Sequence, residues 1–576
     1  MLVLLHFIKS GFSGFFIILS NIIIMDTYVL KSSVSPSKGK DLVFEKKEWV
    51  AVVDSNGSSY TSGRVTFNLD NIANSGSDYF NASETYVSIP LNLAVEFKNT
   101  TDATHLSASD VGNMYCASLK SGAYQIIDKI NYKLNGNEII TLDNFENVKI
   151  NYRLLTTWSG DNVQKRGGDL HFGKDSCDSA HFDALMGSAN NKLIETVFSP
   201  LTATSARHNA GRVERMMKTS YTGYGSVTAD ELTNSYIDTV IVTAPSSSVK
   251  VFNFQILAQF RLGDLHPMFQ NMPLVKSPSQ YLSLTLNTNS VVSHTVTAGD
   301  LTGYSVQSAT NTLPYMLSPI SNNSDSGCKV TTKAGVIKSC ISVSQVPTST
   351  IAGSIKHKAD ACYFHACFVK LSPDDDLAYS KDSVKEVVYE ECYAQSGGNL
   401  SNIASNGKVN QLISGSFPKL RKCVIMPFIN ADSNGTAKIS PLQSTYSCEP
   451  ATVTPFYQSK ACDDMNVRVG TSNVYPKNIQ YSYENWLETA SSINAINGGM
   501  SEGISSGLLS RHEWETAYGF RTVDLSRHPE VNDSTAQQIS VTCKNATDKM
   551  MDYIVLVFYE KSFMIDTQRG LVVSPN

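Results

Sequence analysis

The chain has 576 residues, of which 17% are charged, and a formal net charge of −5, so it is too long for one ordinary core and lacks the field that would draw polyanions. Two domains of about 200 residues each are expected, and tight nucleic-acid binding is not. Abundant Ser, Thr and Asn beside Val, Ile, Tyr and Phe is the balance of a large β protein with polar loops. The 11 cysteines are odd in number, stand singly and include no CxxC pair, so neither a disulfide framework nor a zinc ribbon is suggested. They read as reduced, mostly buried small side chains.

Residues 1–44 form a leader and arm. The stretch 2–25 is apolar and long enough to reach across a bilayer or serve as a signal. No basic run precedes it, no small-residue cleavage site follows it, and Lys9 interrupts it, so translation from Met25 is the plainer expectation. The first module, 45–375, opens with a strand at 65–69. A second strand alternates through Val87, Ile89, Leu91, Leu93, Val95 and Phe97. Strands at 126–134 and 138–142 flank Asn135-Gly136, a pair that tolerates positive φ at both central positions of a hairpin. The next stretch, 148–156, also reads as a strand. Insertions at about 158–248 and about 294–356 are polar and weakly periodic, which predicts loops. Between them Phe252, Phe254, Ile256, Ala258, Phe260 and Leu262 alternate as in a half-buried strand. Leu265, Met268, Phe269 and Met272 then fall at helical spacing, with Asp264 placed to cap and Pro267 in the first turn. Leu282, Leu284 and Leu286 resume the strand, and 362–371 closes the module. Pro373-Asp374-Asp375-Asp376 and 381–383 read as a charged connector.

The second module, 376–566, has strands at 387–394, 422–429, 453–457, 466–469 and 538–543. The nearly all-apolar 553–559 should be buried on both faces, with 561–565 extending it. Ser482 is placed to cap a helix carrying Tyr483, Trp486, Leu487 and Ala490, and 518–525 follows as a strand. Strand, helix and strand over 467–525 thus read as a second copy of 249–287, which points to duplication. The tail 567–576 has no clear period. About eight strands per module with few helices predict an all-β chain of two tandem eight-stranded antiparallel jelly rolls, with short helices and long loop insertions. The expected core includes Phe252, Phe254, Ile256, Leu265, Phe269, Leu284, Trp486, Leu556 and Phe558.

Chemistry-bearing patterns are weak. Gly503-Ile504-Ser505-Ser506-Gly507 matches the nucleophile-elbow spacing, but a polar loop precedes it where a strand is needed. Cys362 and Cys367 flank His365, yet on a strand Cys362 points away from the other two. His512-Glu513 lacks the second histidine of a zinc-protease helix. The run Asp374–Asp376 reads as solvated, with calcium as the competing use. No phosphate-binding or dinucleotide pattern is present. No residue is assigned to catalysis, to a cofactor or to a metal.

The order and spacing of several segments carry a resemblance. They are residues 259–274 (QFRLGDLHPMFQNMPL), 281–287 (YLSLTLN), 506–510 (SGLLS) with Trp514-Glu515, and 553–566, together with the opening hairpin and 151–158 (NYRLLTTW). These resemble the double jelly-roll major capsid proteins of polinton-like viruses and virophages, across most of residues 25–570. The resemblance implies a non-enzymatic structural subunit of a double-stranded DNA virus, located in the virion. It implies homotrimers with a six-sided outline that tile an icosahedral shell and contact neighbouring capsomers, penton and minor capsid proteins. Loops 158–248, 294–356 and 395–418 would then point outward, toward other subunits or a host receptor. The competing class is a secreted or surface β-sandwich lectin or adhesin, prompted by the leader and by triplets such as Asn81-Ala82-Ser83, Asn434-Gly435-Thr436 and Asn545-Ala546-Thr547.

Overall fold

Sixteen strands, eight in each half of the chain, trace one path twice. The computed structural model describes residues 44–575 apart from 58, 71–77, 100–114, 142, 175–216, 219–239, 247–248, 277, 297–313, 320–334, 430–459, 497–506, 512–513, 515–517, 532–534 and 548–549. The first eight strands are β1 (Phe44–Val53), β2 (Arg64–Asn68), β3 (Tyr86–Asn99), β4 (Ile127–Leu134), β5 (Asn137–Ile140), β6 (Val249–Arg261), β7 (Gln280–Leu286) and β8 (Tyr363–Leu371). They pair antiparallel in the order β1-β8-β3-β6 in one sheet and β2-β7-β4-β5 in the other. The second eight are β9 (Val384–Gln395), β10 (Lys408–Leu412), β11 (Leu420–Ile429), β12 (Asp463–Val469), β13 (Ser472–Asn473), β14 (Arg521–Asp524), β15 (Ile539–Lys544) and β16 (Met551–Asp566). Their orders are β9-β16-β11-β14 and β10-β15-β12-β13, again antiparallel. Adding eight to every strand number of the first module gives the second. Two four-stranded sheets linked this way form a jelly roll, so the chain is a double jelly roll.

Local chemistry explains the main turns. Asn135 and Gly136 have φ of 50° and 78°, the double positive φ of the hairpin turn whose twist suits the strands it joins. After β6 the chain forms two short helices, α3 (Leu262–Leu265) and α4 (Pro267–Asn271), rather than the single helix expected. Pro267 pushes the residue before it out of the helical region, and His266 accordingly sits at φ −148°. The His266 ring, not Asp264, caps α4: Nδ1 accepts the Met268 N–H at 3.2 Å. Asp264 lies inside α3, where its carboxylate pairs with Arg166.

The expected core residues are buried. Phe252, Phe254, Phe269, Leu284, Trp486 and Leu556 have no exposure, while Leu265, Ile256 and Phe558 reach only 1%, 4% and 8%. Residues 553–558 of β16 are buried without interruption, as a strand covered on both faces requires.

Several expectations change. Residues 148–156 are helical, within α1 (Glu146–Thr157). The repeat also aligns differently. Helix α6 (Tyr483–Ile496) joins β13 to β14, so its counterpart is α1 between β5 and β6, whereas α3 and α4 join β6 to β7. The pairing of 249–287 with 467–525 therefore matched one helical connection with the wrong partner. Within 294–356, Gly335–Val343 pairs with β3 and with Val291–Val296. The stretch 395–418 contains β10, and Leu571–Pro575 pairs with β16, where a shapeless tail was expected. Residues 373–376 open a helix, α5 (Pro373–Ser380), whose first turn Ser372 caps and three aspartates suit electrostatically. In the first insertion, Gly160–Arg166 is helical (α2) and Val240–Ser246 extends the first sheet beside β6. The expected strand at 453–457 and the leader lie outside the described residues. No helix among the described residues is long and apolar enough to cross a membrane.

Candidate functional site

The feature that sets this chain apart is the junction between its two jelly rolls. Helix α1 lies there, and ten of its twelve residues are buried, including Glu146, Asn147, Lys149 and Asn151. A helix buried on every side is covered by more than its own module. Tyr152 shows what covers it: its ring stands 5.0 Å from Phe520 and 5.6 Å from Phe558, and its hydroxyl is 3.1 Å from Thr522 Oγ1. Phe558 and Thr522 belong to the rows Cys392-Phe558-Lys422-Asp524 and Ala394-Leu556-Val424-Thr522, which cross the face of sheet β9-β16-β11-β14 turned away from the second module's interior. Phe417 marks the opposite, interior face by packing on Tyr393 and Tyr559.

Backbone approach tightens the seam. Gly507 has φ +53°, and a Cβ there would stand 2.3 Å from the Leu155 carbonyl oxygen, so only glycine fits. Leu508 N–H donates to that same carbonyl at 3.0 Å. Asn271 Nδ2 of α4 donates to Val388 O at 2.8 Å, and Ala394 N–H donates to Asp143 Oδ2 at 3.1 Å, so β9 is held along its edge.

Buried charges gather at the seam, and one pair, His266–Glu391, crosses it. Lys149 Nζ lies 2.6 Å from Asp143 and 2.7 Å from Glu146, and His266 Nε2 lies 3.2 Å from Glu391. Because His266 Nδ1 accepts from Met268, Nε2 is left to donate to Glu391. Burial pushes the Glu146 carboxyl up. Burial also opposes charge on Lys149, but Glu146 and Asp143 outweigh it and keep the amine protonated above its usual range. Burial would raise Glu391 too; the His266 contact, Lys149 and Lys561 outweigh it and hold that carboxyl below the usual range.

The candidate chemical sites do not assemble. Cys362 faces the main core, whereas Cys367 faces a small cluster of Tyr79, Leu274 and Tyr379. His365 stacks on Tyr86 at 4.4 Å with Nε2 3.2 Å from Ser88 Oγ. Asp376 is engaged by Lys276 at 2.9 Å and by the Tyr79 hydroxyl. No group of three potential metal ligands occurs among the described residues. Ser505, His512 and Glu513 lie outside them.

No family model matches this chain, and no curated protein does. Among solved structures it is similar to the Sputnik virophage at 3.5 Å by cryo-EM, with 11% identity, a TM-score of 0.47, and coverage of 94% of this chain and 90% of that one. It is also similar to the mavirus major capsid protein, at 8% identity and a TM-score of 0.43, covering 94% and 93%. For the Faustovirus major capsid protein the values are 8%, 0.42, and 92% of each chain. At these scores the likenesses carry no argument about this chain; the doubled strand path does.

The junction residues Tyr152, Glu146, Lys149 and Glu391 were not singled out in the sequence. The stretch 143–153 mixes Asp, Asn, Glu, Lys and Arg with Phe145, Val148, Ile150 and Tyr152, and gave no local signal of the junction. Glu391 supplies a pH test. Since folding lowers its carboxyl, its contribution is complete above the ordinary value of 4.5 and is lost as pH falls through the lower folded value. The wild-type melting temperature should therefore fall more steeply than that of Glu391→Gln between about pH 6 and about pH 3.5. Parallel curves in a calorimetric series would remove this role.

Proposed function

We propose that the chain is the major capsid protein of a double-stranded DNA virus, building the icosahedral shell of the virion from homotrimers with a pseudo-hexagonal outline. The observation that carries this reading is the repeated strand path. Two jelly rolls fixed side by side by α1 present similar flanks, so three copies around a three-fold axis give six nearly equivalent positions from one gene product. We take the module boundary near residue 375, in α5. The role is structural rather than enzymatic, and the partners are further copies, neighbouring capsomers, and penton and minor capsid proteins. The resemblance read in the sequence supports the same assignment.

A glycan-bearing surface protein fits less well. Asn81 is buried, and Asn545, with no exposure, donates Nδ2 to the Ile403 and Ala404 carbonyls at 2.9 and 3.1 Å, so neither folded amide is free for sugar. Protein expressed from Met25 should be trimeric by native mass spectrometry and six-sided in negative stain. A monomer carrying sugar would overturn the assignment.

A further inference from the structure

The two helices that join corresponding strands, α1 and α6, differ in coverage: α1 is covered on both sides, whereas α6, over residues 483–491, is covered on one. Toward its own module α6 buries Trp486, Thr489 and Ala490. Glu484, Leu487, Glu488 and Ser491 are exposed, and their spacing of i, i+3, i+4 and i+7 makes them one continuous face. Leu487 is 39% exposed on it. In the first module the equivalent helix carries its outer aromatic, Tyr152, onto the outer face of sheet β9-β16-β11-β14.

The equivalent sheet of the first module is β1-β8-β3-β6; on its outer face Tyr379 of α5 clusters with Cys367, Val369 and Leu371 at one end of β8, and the rows at the other end of that strand carry no helix among the described residues. Strand register puts Ala51, His365, Tyr86 and Arg261 in one row across that face, and Val53, Tyr363, Ser88 and Gln259 in the next. Phe364, one residue away, packs on Phe67 of the opposite sheet and so marks the interior side. Ala51 and Arg261 are exposed, Val53 is 53% exposed, and Tyr86, Tyr363 and His365 are half-buried. At the edge, Trp49 is 47% exposed. Thus each module owns a helix of one kind and a sheet face of one kind. Within the chain, one helix meets one face. One helix face and the Ala51–Val53 end of one sheet face are left over, on opposite modules.

We propose that the Leu487 face of α6 docks on the Ala51–Val53–Tyr363–His365 face of a second copy, repeating between chains the seat that Tyr152 takes within one. The inference rests on the capsid reading and deepens it by naming the trimer contact. Such a contact is head-to-tail, and it closes into a ring of three when the step between modules of adjacent copies equals the step within one chain and six such steps complete the turn. Charge agrees: Glu484 is paired within the chain to Arg511 at 3.0 Å, while Glu488 lies beside Leu487 and Arg261 lies on the receiving rows.

Native mass spectrometry and size-exclusion light scattering on the full chain test it. Leu487→Asp and Ala51→Asp each alter an exposed residue and should leave the circular dichroism and melting temperature of the isolated chain unchanged. Each should also weaken trimer formation at least roughly tenfold, shifting the protein toward monomer. The double variant Leu487→Cys/Val53→Cys should give an oxidant-dependent covalent trimer that neither single cysteine gives. If the wild type is trimeric and both aspartate variants remain so without cross-linking, the docking assignment is wrong and the capsid reading stands. If the wild type itself is monomeric at high concentration, the capsid reading falls and this contact with it.

Discussion

Leu556→Asp should yield no folded trimer. Leu556 is wholly buried near the middle of β16, the strand that pairs with both β9 and β11. Loss of its packing costs about 2–5 kcal/mol, and a carboxylate without a partner there adds several kcal/mol or must take up a proton. A domain has only about 5–15 kcal/mol to lose. Phe269→Asp should behave alike, since Phe269 is fully buried with its ring 4.8 Å from Tyr132, edge to face. The check is soluble yield and circular dichroism beside Leu556→Met, a volume-conserving change expected to cost less than about 1.5 kcal/mol and to retain trimer. Soluble trimer from both aspartate variants would show that these positions are not core.

Tyr152→Ala should separate the two jelly rolls energetically. Truncation removes two aromatic contacts and the hydroxyl contact with Thr522 at one point, at about 3–5 kcal/mol by analogy with other buried aromatics. Most of that loss falls on coupling between modules rather than on either interior. Calorimetry should therefore resolve two transitions where the wild type gives one. Tyr152→Phe, which keeps the ring contacts and deletes the hydroxyl, should lose only about 1 kcal/mol and keep a single transition. A single, unshifted transition in Tyr152→Ala would mean that the seam contributes little.

Much of the fold was legible because half-buried strands announce themselves by alternation, as at Val87–Phe97 and Phe252–Leu262, and because Asn135-Gly136 admits few other conformations. Helix α1 was misread for a physical reason. Val148, Ile150, Tyr152 and Leu154 alternate with Lys149, Asn151 and Arg153, which is a strand's signature. A helix enclosed by two modules has no solvent side, so its polar positions lose the 3.6-residue spacing that would have revealed it. The strand Gly335–Val343 was taken for loop because Ser339 and Ser342 look like turn residues, yet both are buried against β3 and its surroundings. The misaligned repeat has the same root. Local periodicity sees a helix but not which two strands it joins, and only the sheet order distinguishes α1 from α3 and α4. The pair across the junction was hidden for a related reason, since Glu391 lies 125 positions from His266.

The seat of Tyr152 has a consequence for biosynthesis. Its hydroxyl partner Thr522 follows 370 residues later, so on the ribosome the first jelly roll is finished long before its neighbour exists. Throughout that interval a nascent chain displays the apolar flank of α1 to solvent, a surface suited to chaperones and to premature association with other unfinished chains.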